Sequence, residues 1–249
     1  MLLAVDIGNT NISCGIFKGP KLIRQFDIST KECFKTRLIK KLKYTPKISV
    51  SVICSVVPKQ IKLISGSLAS LTGRAPYIIG KDFSVPIKNL YRKPKQVGQD
   101  RLVNAYAASI FYRAPLIVID SGTAVTFDLI SRKKEYLGGL ITPGMGISLK
   151  VLKEKTALLP EVKLSRPRTL IGQDTKSSIL SGIVFGAADL CSGIVKRIRQ
   201  QLGKDTTVIG TGGNICLIQE YSNLNMKIDK DLTLKGINLV YEYASKKRV

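Results

Sequence analysis

The chain has 249 residues, 44% of them hydrophobic and 23% charged, with five cysteines and no histidine. That supplies a core for one large or two small domains, and it excludes Ser-His-Asp and Cys-His catalysis and any histidine-bound metal. The 40 Lys and Arg against 17 Asp and Glu give a formal +23, a balance that draws polyanions such as nucleotides, nucleic acid or an acidic partner and is silent about fold.

Cys14, Cys33, Cys54, Cys191 and Cys216 are scattered and never form a C-x-x-C pair, so neither a disulfide framework nor a zinc site is expected. No run approaches about eighteen uninterrupted apolar residues, and the apolar start lacks a basic leader and is broken by Asp6. The expectation is a cytoplasmic protein with no targeting segment and no membrane span.

In chain order, the pattern predicts strands over 2–7, 12–18 and 21–27, a basic helix near 30–43, a strand at 48–54 and a helix over 58–71 that opens on Pro58. A Gly-, Pro- and Lys-rich stretch, GKDFSVPIKNLYRKPKQVGQDR, then leads into a helix from Arg101 to Tyr112. Asp100 stands just before that helix and can cap it. A second unit restarts at APLIVIDSGTAVTFDLI, with a strand, a D-x-G-T turn and a second strand, followed by the strand EYLGGLIT and helices near 144–155 and 174–201. LAVDIGNTNI and IVIDSGTAVT echo each other, which points to two related halves.

The two D-x-G turns carry the chemistry. Gly8 and Gly122 allow close backbone approach, so successive N–H groups can face one anion, and Asn9, Thr10, Ser121 and Thr123 add short donors. Asp6 and Asp120, each ending a strand, can hold a hydrated Mg²⁺ or a monovalent cation. Read singly, either turn is equally a structural hairpin. A third glycine turn, TVIGTGGNI (Thr207 to Ile215), joins a strand to a helix and offers a flat surface for adenine or ribose beside a helix N-terminus. No G-x-x-x-x-G-K-[ST] loop and no G-x-G-x-x-G is present.

With DIGNTNISCGIF, VGQDRLVNAYAA, VIDSGTAVTFDLI, YLGGLITPGMGISLKVLKEKTALLPEV, IGQDTKSSILSGIVFGAADL and VIGTGGN in this order, the sequence resembles the type III pantothenate kinases, members of the acetate and sugar kinase, Hsp70 and actin superfamily. The resemblance implies an α/β fold of two related actin-like (ribonuclease H-like) domains, residues 1–113 and 114–249, each a mixed sheet flanked by helices, with the active site in the cleft between them. It implies transfer of the ATP γ-phosphoryl to the primary hydroxyl of pantothenate, with Mg²⁺, a monovalent cation (K⁺ or NH₄⁺) and a homodimeric assembly. Laid onto matching positions, it places the nucleotide at Asp6, Ile7, Gly8, Asn9, Thr10, Asn11, Ile12, Ser13 and Thr123, with Asp6 holding Mg²⁺ through water. Tyr91, Gly98, Gln99, Asp100, Arg101 and Thr175 fall at the substrate, Asp100 at the catalytic base and Asp120 at the monovalent cation.

Physical chemistry agrees with those roles. Phosphoryl transfer asks a protein for positioning, cations and one carboxylate to accept a proton, which a chain without histidine can supply. Arg92, Lys93, Lys95 and Arg101 add positive field for ATP and for the pantothenate carboxylate. In IGQDT the family often has Asn where this chain has Asp174. Lysines also cluster in KTRLIKKLKYTPK (Lys35 to Lys47) and in the C-terminal KKR, as solvated faces or, in a second reading, as the nucleic-acid surface of a regulatory protein on the same fold. A third reading is a kinase of another small hydroxylated metabolite. The apolar segment Ser178 to Val195 reads as a core helix or as a subunit contact.

Overall fold

The computed structural model describes residues 1–42 and 47–247, which fall into two compact units, Met1–Phe111 with Asp231–Val249, and Tyr112–Lys230.

The first unit is built on a five-stranded sheet in the order β3-β2-β1-β4-β5. β1 (Leu2–Ile7), β2 (Asn11–Lys18) and β3 (Lys21–Ser29) form an antiparallel meander, and β4 (Val50–Ser55) and β5 (Tyr77–Ile78) add parallel strands on the other side of β1. The run LLAVDI is apolar almost throughout because β1 is central and covered on both faces. α1 (Phe34–Leu42) turns Phe34, Leu38 and Leu42 into the core and leaves Lys35, Arg37, Lys40 and Lys41 exposed, with Arg37 on Glu32 at 2.8 Å. α2 (Pro58–Thr72) adds Ile64 and Leu68 to the same core.

The second unit repeats this plan. β6 (Leu116–Ser121), β7 (Ala124–Ile130) and β8 (Tyr136–Pro143) form the meander, and β9 (Thr207–Thr211) and β10 (Lys227–Ile228) extend the sheet in parallel from β6. Read from β8 to β10, its order is that of the first sheet, so the echo between the two turn sequences is an echo of topology. α4 (Met145–Lys155), α5 (Thr175–Leu202) and α6 (Ile215–Tyr221) cover it. Both units are the mixed, helix-flanked sheets expected of actin-like domains.

α5 is, among the described residues, the helix long and apolar enough to cross a membrane by length and composition. Its buried residues Ser181, Val184, Ala188, Cys191, Val195 and Ile198 alternate in steps of three and four. That stripe packs with Ile117, Ile119 and Phe127, so α5 is a core helix of this unit.

The structure departs from expectation at four places. α1 starts at Phe34 because the Thr30 N–H is drawn to the Thr10 carbonyl and Glu32 closes a turn onto Ser29; its expected end at residue 43 lies outside the described residues. α3 (Gln99–Phe111) begins two residues early, which puts Asp100 inside the first turn. The two-residue strands β5 and β10 are too short for a periodic signal. Finally, the expected second domain ran to residue 249, whereas α7 (Leu232–Lys246) returns to the first unit. Leu232, Leu234, Ile237 and Val240 are buried there, Asn238 Nδ2 donates to the Gly19 carbonyl at 3.1 Å, and Thr233 Oγ1 donates to Asn104 on α3 at 2.8 Å.

Gly236 makes that return possible, since a Cβ there would lie 2.6 Å from Val103 Cγ1 and 2.7 Å from the Val103 carbonyl oxygen. Gly236→Val should therefore separate α3 from α7 and cost about 1–3 kcal/mol or more, read as a lower midpoint in denaturant at unchanged m-value; a wild-type midpoint would mean the helices do not depend on that contact.

Candidate functional site

The first turn is shaped by what happens to its carbonyls. The Gly8 N–H donates to the Asn11 carbonyl at 3.0 Å and closes the turn. Thr30 Oγ1 donates to the carbonyls of Asn9 and Thr10 at 3.1 and 2.9 Å, and the Thr30 N–H donates to Thr10 at 3.0 Å. With these acceptors engaged, the exposed polar groups of Asn9, Thr10 and Asn11 are what the turn offers to an anion. Ile7 and Ile12 are core residues and can contribute only backbone. Ser13 lies directly across the β1–β2 ladder from Asp6, and its Oγ donates to Asp27 Oδ1 at 2.6 Å. Its proton is thereby committed, and lone pairs are what it presents beside Asp6.

In the second unit three turns meet. The Gly122 N–H closes the D-S-G-T turn onto Ala124 at 2.9 Å, the Gly144 N–H donates to the Thr123 carbonyl at 3.1 Å, and the Asn214 N–H of the T-G-G-N turn donates to the Ser121 carbonyl at 3.0 Å. Gly212, at φ 90°, presses so closely on Asp120 Oδ1 and the Ser121 backbone that no side chain fits there. Register then sets the neighbours of Asp120: Thr126 faces it across the antiparallel ladder with β7, and Thr211 pairs with it along β9. The Thr211 hydroxyl is buried with no hydrogen-bond partner, a state that costs on the order of 1–3 kcal/mol unless a ligand satisfies it. Thr126 Oγ1 donates to Asp128 Oδ2 at 3.2 Å, Tyr136 donates its phenolic proton to Asp128 Oδ1 at 2.8 Å, and Asp128 is fully buried.

The Thr211–Asp120–Thr126 row offers oxygen only, which fits K⁺ or NH₄⁺. Among the described residues no three of His, Cys, Asp and Glu gather as a metal cage. A Mg²⁺ ion would accordingly be held as hydrated Mg²⁺ commonly is, by one or two carboxylates such as Asp6 together with substrate phosphates.

Asp100 sits in the first turn of α3 and accepts the Arg101 N–H at 2.8 Å on Oδ1. A Cβ on Gly98 would lie 2.5 Å from that same oxygen, so a residue without a side chain is what lets the carboxylate lie back against the loop. The residue is partly exposed at its edge, yet the carboxyl lies deep enough that burial raises its pKa above the usual value, against the smaller lowering by the Arg101 N–H and the Arg101 charge. Cys54, paired with Asp6 along β4, reports the same neighbourhood: burial pushes its thiol far up, and the Asp6 and Asp100 carboxylates push it further. Both carboxylates thus act electrostatically on one buried sulfur.

The remaining residues expected at the substrate divide between the units. Gln99 packs against the turn at Gly80, where a Cβ would meet its Cδ at 2.8 Å. The Tyr91 N–H donates to Asn89 Oδ1 at 2.9 Å, and a 3-10 turn over Pro94–Gln96 leads into Gly98. Tyr91, Gly98, Gln99, Asp100, Arg101 and the Asp6–Ser13 turn thus share the first unit, while Asp120, Thr123 and Thr175 belong to the second. Thr175 opens α5, and Asp174 before it is the N-cap: Ser177 donates to its carboxylate from N–H at 3.0 Å and from Oγ at 2.8 Å. The Ser177 N–H is the main influence holding the Asp174 carboxyl below its usual range. The Asp174 carboxylate is thereby engaged as a helix cap, a role Asn would fill as well. Thr30, Asp27, Asp128, Tyr136 and Thr211 were not singled out by motif; their signal is register, which appears only once the strands are paired.

A family model described as type III pantothenate kinase matches residues 2–197. The chain is 36% identical over 250 residues to a type III pantothenate kinase of Syntrophotalea carbinolica, covering 97% of this chain and 98% of that one. It is 39% identical over 252 residues to that of Finegoldia magna, covering 96% of each. Among solved structures it resembles a conserved protein of Campylobacter jejuni assigned to the Baf family of transcriptional activators, at TM-score 0.59 and 19% identity over 98% of this chain and 99% of that one, a likeness of fold.

Because the folded pKa of Asp100 is raised, its contribution to stability is complete below the ordinary carboxylate value of about 3.9 and is lost as pH climbs through the raised value. At pH 7 folding either buries the Asp100 charge or takes up a proton there, a cost that Asp100→Asn removes. The variant should melt higher than wild type at pH 7, with the difference vanishing below about pH 4; a lower melting temperature at pH 7 would show that Asp100 stabilises the fold as an anion.

Proposed function

Since the chain belongs to the type III pantothenate kinase family, we propose that Asp100 is the base with which it carries out that family's reaction, transfer of the ATP γ-phosphoryl to the primary hydroxyl of pantothenate. The observation that carries this reading is the carboxylate at the start of α3, in the G-x-D-R segment, whose pKa is raised by burial and whose charge, with that of Asp6, acts on the buried Cys54 thiol. The hydroxyl oxygen attacks phosphorus as its proton passes to Asp100, the bond from phosphorus to the bridging oxygen breaks, and ADP leaves with that electron pair. 4′-Phosphopantothenate, the first intermediate of coenzyme A synthesis, is the product. A carboxyl raised above the usual carboxylate range suits this step, being a stronger base toward the hydroxyl proton.

The other roles follow from what each group can donate. Gly8, Asn9, Thr10 and Asn11, with backbone from Ile7 and Ile12, cradle the phosphates, and Thr123 adds a nucleotide contact. Asp6 orients Mg²⁺ through water, with Ser13 offering lone pairs beside it; Mg²⁺ neutralises charge on the phosphate oxygens when bound. Asp120 holds the monovalent cation. Tyr91, Gly98, Gln99, Arg101 and Thr175 take pantothenate, and the exposed Arg92, Lys93 and Lys95 steer both anions toward it. We read the protein as cytoplasmic, where ATP is supplied.

We further propose a homodimer through the second unit. Ile141, Leu170 and Ile171 are 64%, 64% and 79% exposed, and Gly182, Gly186 and Gly193 leave open space along the uncovered side of α5. Such exposed apolar residues fit an oligomer contact better than solvent.

The test is ATP-dependent phosphorylation of pantothenate with Mg²⁺ and K⁺ or NH₄⁺, run beside sedimentation of the same sample. Turnover from a dimer, lost by about 10²-fold or more in a folded Asp100→Asn variant, is the expected result. Near-wild-type kcat in that variant would remove Asp100 from the role, and absence of turnover with any cation would remove the activity.

A further inference from the structure

The sheet of the second unit carries a polar relay that no phosphate or substrate contact accounts for. Thr126, Asp128 and Tyr136 lie on one face of adjacent strands, the face that also carries Asp120. Tyr136 donates to one oxygen of the fully buried Asp128 and Thr126 donates to the other, at 2.8 and 3.2 Å. A hydroxyl has one proton. Thr126 gives it to Asp128, so beside Asp120, its direct cross-strand neighbour, it can show only lone pairs. On the other side of Asp120 the buried Thr211 hydroxyl has no hydrogen-bond partner. Thr126 therefore offers Asp120 no proton, and a hydroxyl oxygen and a carboxylate so placed attract a cation between them.

We propose that Asp128, fixed by Tyr136, is a positioning residue that takes the Thr126 proton and so makes Thr126 a ligand, with Asp120, of the monovalent cation. The proposal rests on the reading of Asp120 as that cation's site. The first unit repeats the device: Ser13 stands across from Asp6 and gives its proton to Asp27 at 2.6 Å. Two halves with different sequences thus place a hydroxyl, its proton taken by a second carboxylate, opposite the turn aspartate. A carboxylate in the place of Asp128 is required by the chemistry. An amide there could donate to Thr126, freeing the threonine proton to bond Asp120 in competition with the cation.

The experiment uses the full chain with Mg²⁺ and a non-hydrolysable ATP analogue, and follows the rise in melting temperature as K⁺ replaces tetramethylammonium at constant ionic strength, each variant being compared with its own K⁺-free baseline. Thr126→Val and Asp128→Asn should each raise the half-saturating K⁺ concentration by about tenfold, the lower end of what losing such outer partners costs a metal site. Thr126→Ser should restore it to within about twofold, because the hydroxyl and its donor role are kept. Asp120→Ala, in the same titration, should abolish the K⁺-dependent rise. If Asp120→Ala abolishes it while Thr126→Val keeps the wild-type half-saturation, the relay is overturned and the Asp120 site stands. If Asp120→Ala also behaves as wild type, both fall. Thr126 is only partly buried, so its variant decides the matter even if Asp128→Asn does not fold.

Discussion

Each half of this protein hangs a carboxylate on the end of a strand that is hydrogen-bonded on both sides, antiparallel to the next strand in sequence and parallel to one that arrives much later. β1 and β6 have no freedom to slide without breaking two ladders at once, and a slip of one residue would turn every side chain, the aspartate included, to the opposite face. That double constraint fixes Asp6 and Asp120 in space and selects their neighbours. Ser13 and Cys54 flank Asp6, and Thr126 and Thr211 flank Asp120. The chemical difference between the two aspartates follows from those neighbours, a hydroxyl and a thiol in one case and two hydroxyls in the other.

Asp100 is governed differently. It comes from a helix start rather than a strand end, and its environment is made by what is missing: Gly98 has no side chain to hold the carboxylate off the loop, and the surrounding burial is only partly offset by Arg101. A group of this kind destabilises the fold when ionised, and such a cost is typical of functional sites. In the function proposed above, the strand-borne aspartates hold cations and the helix-borne one is left to accept a proton, a division that suits phosphoryl transfer in a chain without histidine.

The central strands, the long helices and the three glycine turns are legible in the amino-acid sequence because each has a local cause: unbroken apolar runs, Pro58 at a helix start, and D-x-G spacing. The repeat between LAVDIGNTNI and IVIDSGTAVT correctly indicated two halves of one topology. α7 was not legible as part of the first unit, since its partner α3 lies far away in sequence and the enabling residue, Gly236, looks like any helix glycine until Val103 is seen against it. Thr30 looked like the start of α1 and is instead the clasp on the first turn. Asp174, which stands where the family often has Asn, is the N-cap of α5. For α7 and Thr30 the deciding contact is with a residue far outside the local window.

The most direct test of this account is the pH dependence of kcat/KM for pantothenate, which reports ionisations in the free enzyme. If Asp100 is the base and its carboxyl is raised by burial, activity should fall on the acid side with a single ionisation lying above the usual aspartate value of about 3.9, and the residual activity of Asp100→Asn should show no such limb. An acid limb that persists unchanged in Asp100→Asn would contradict the account.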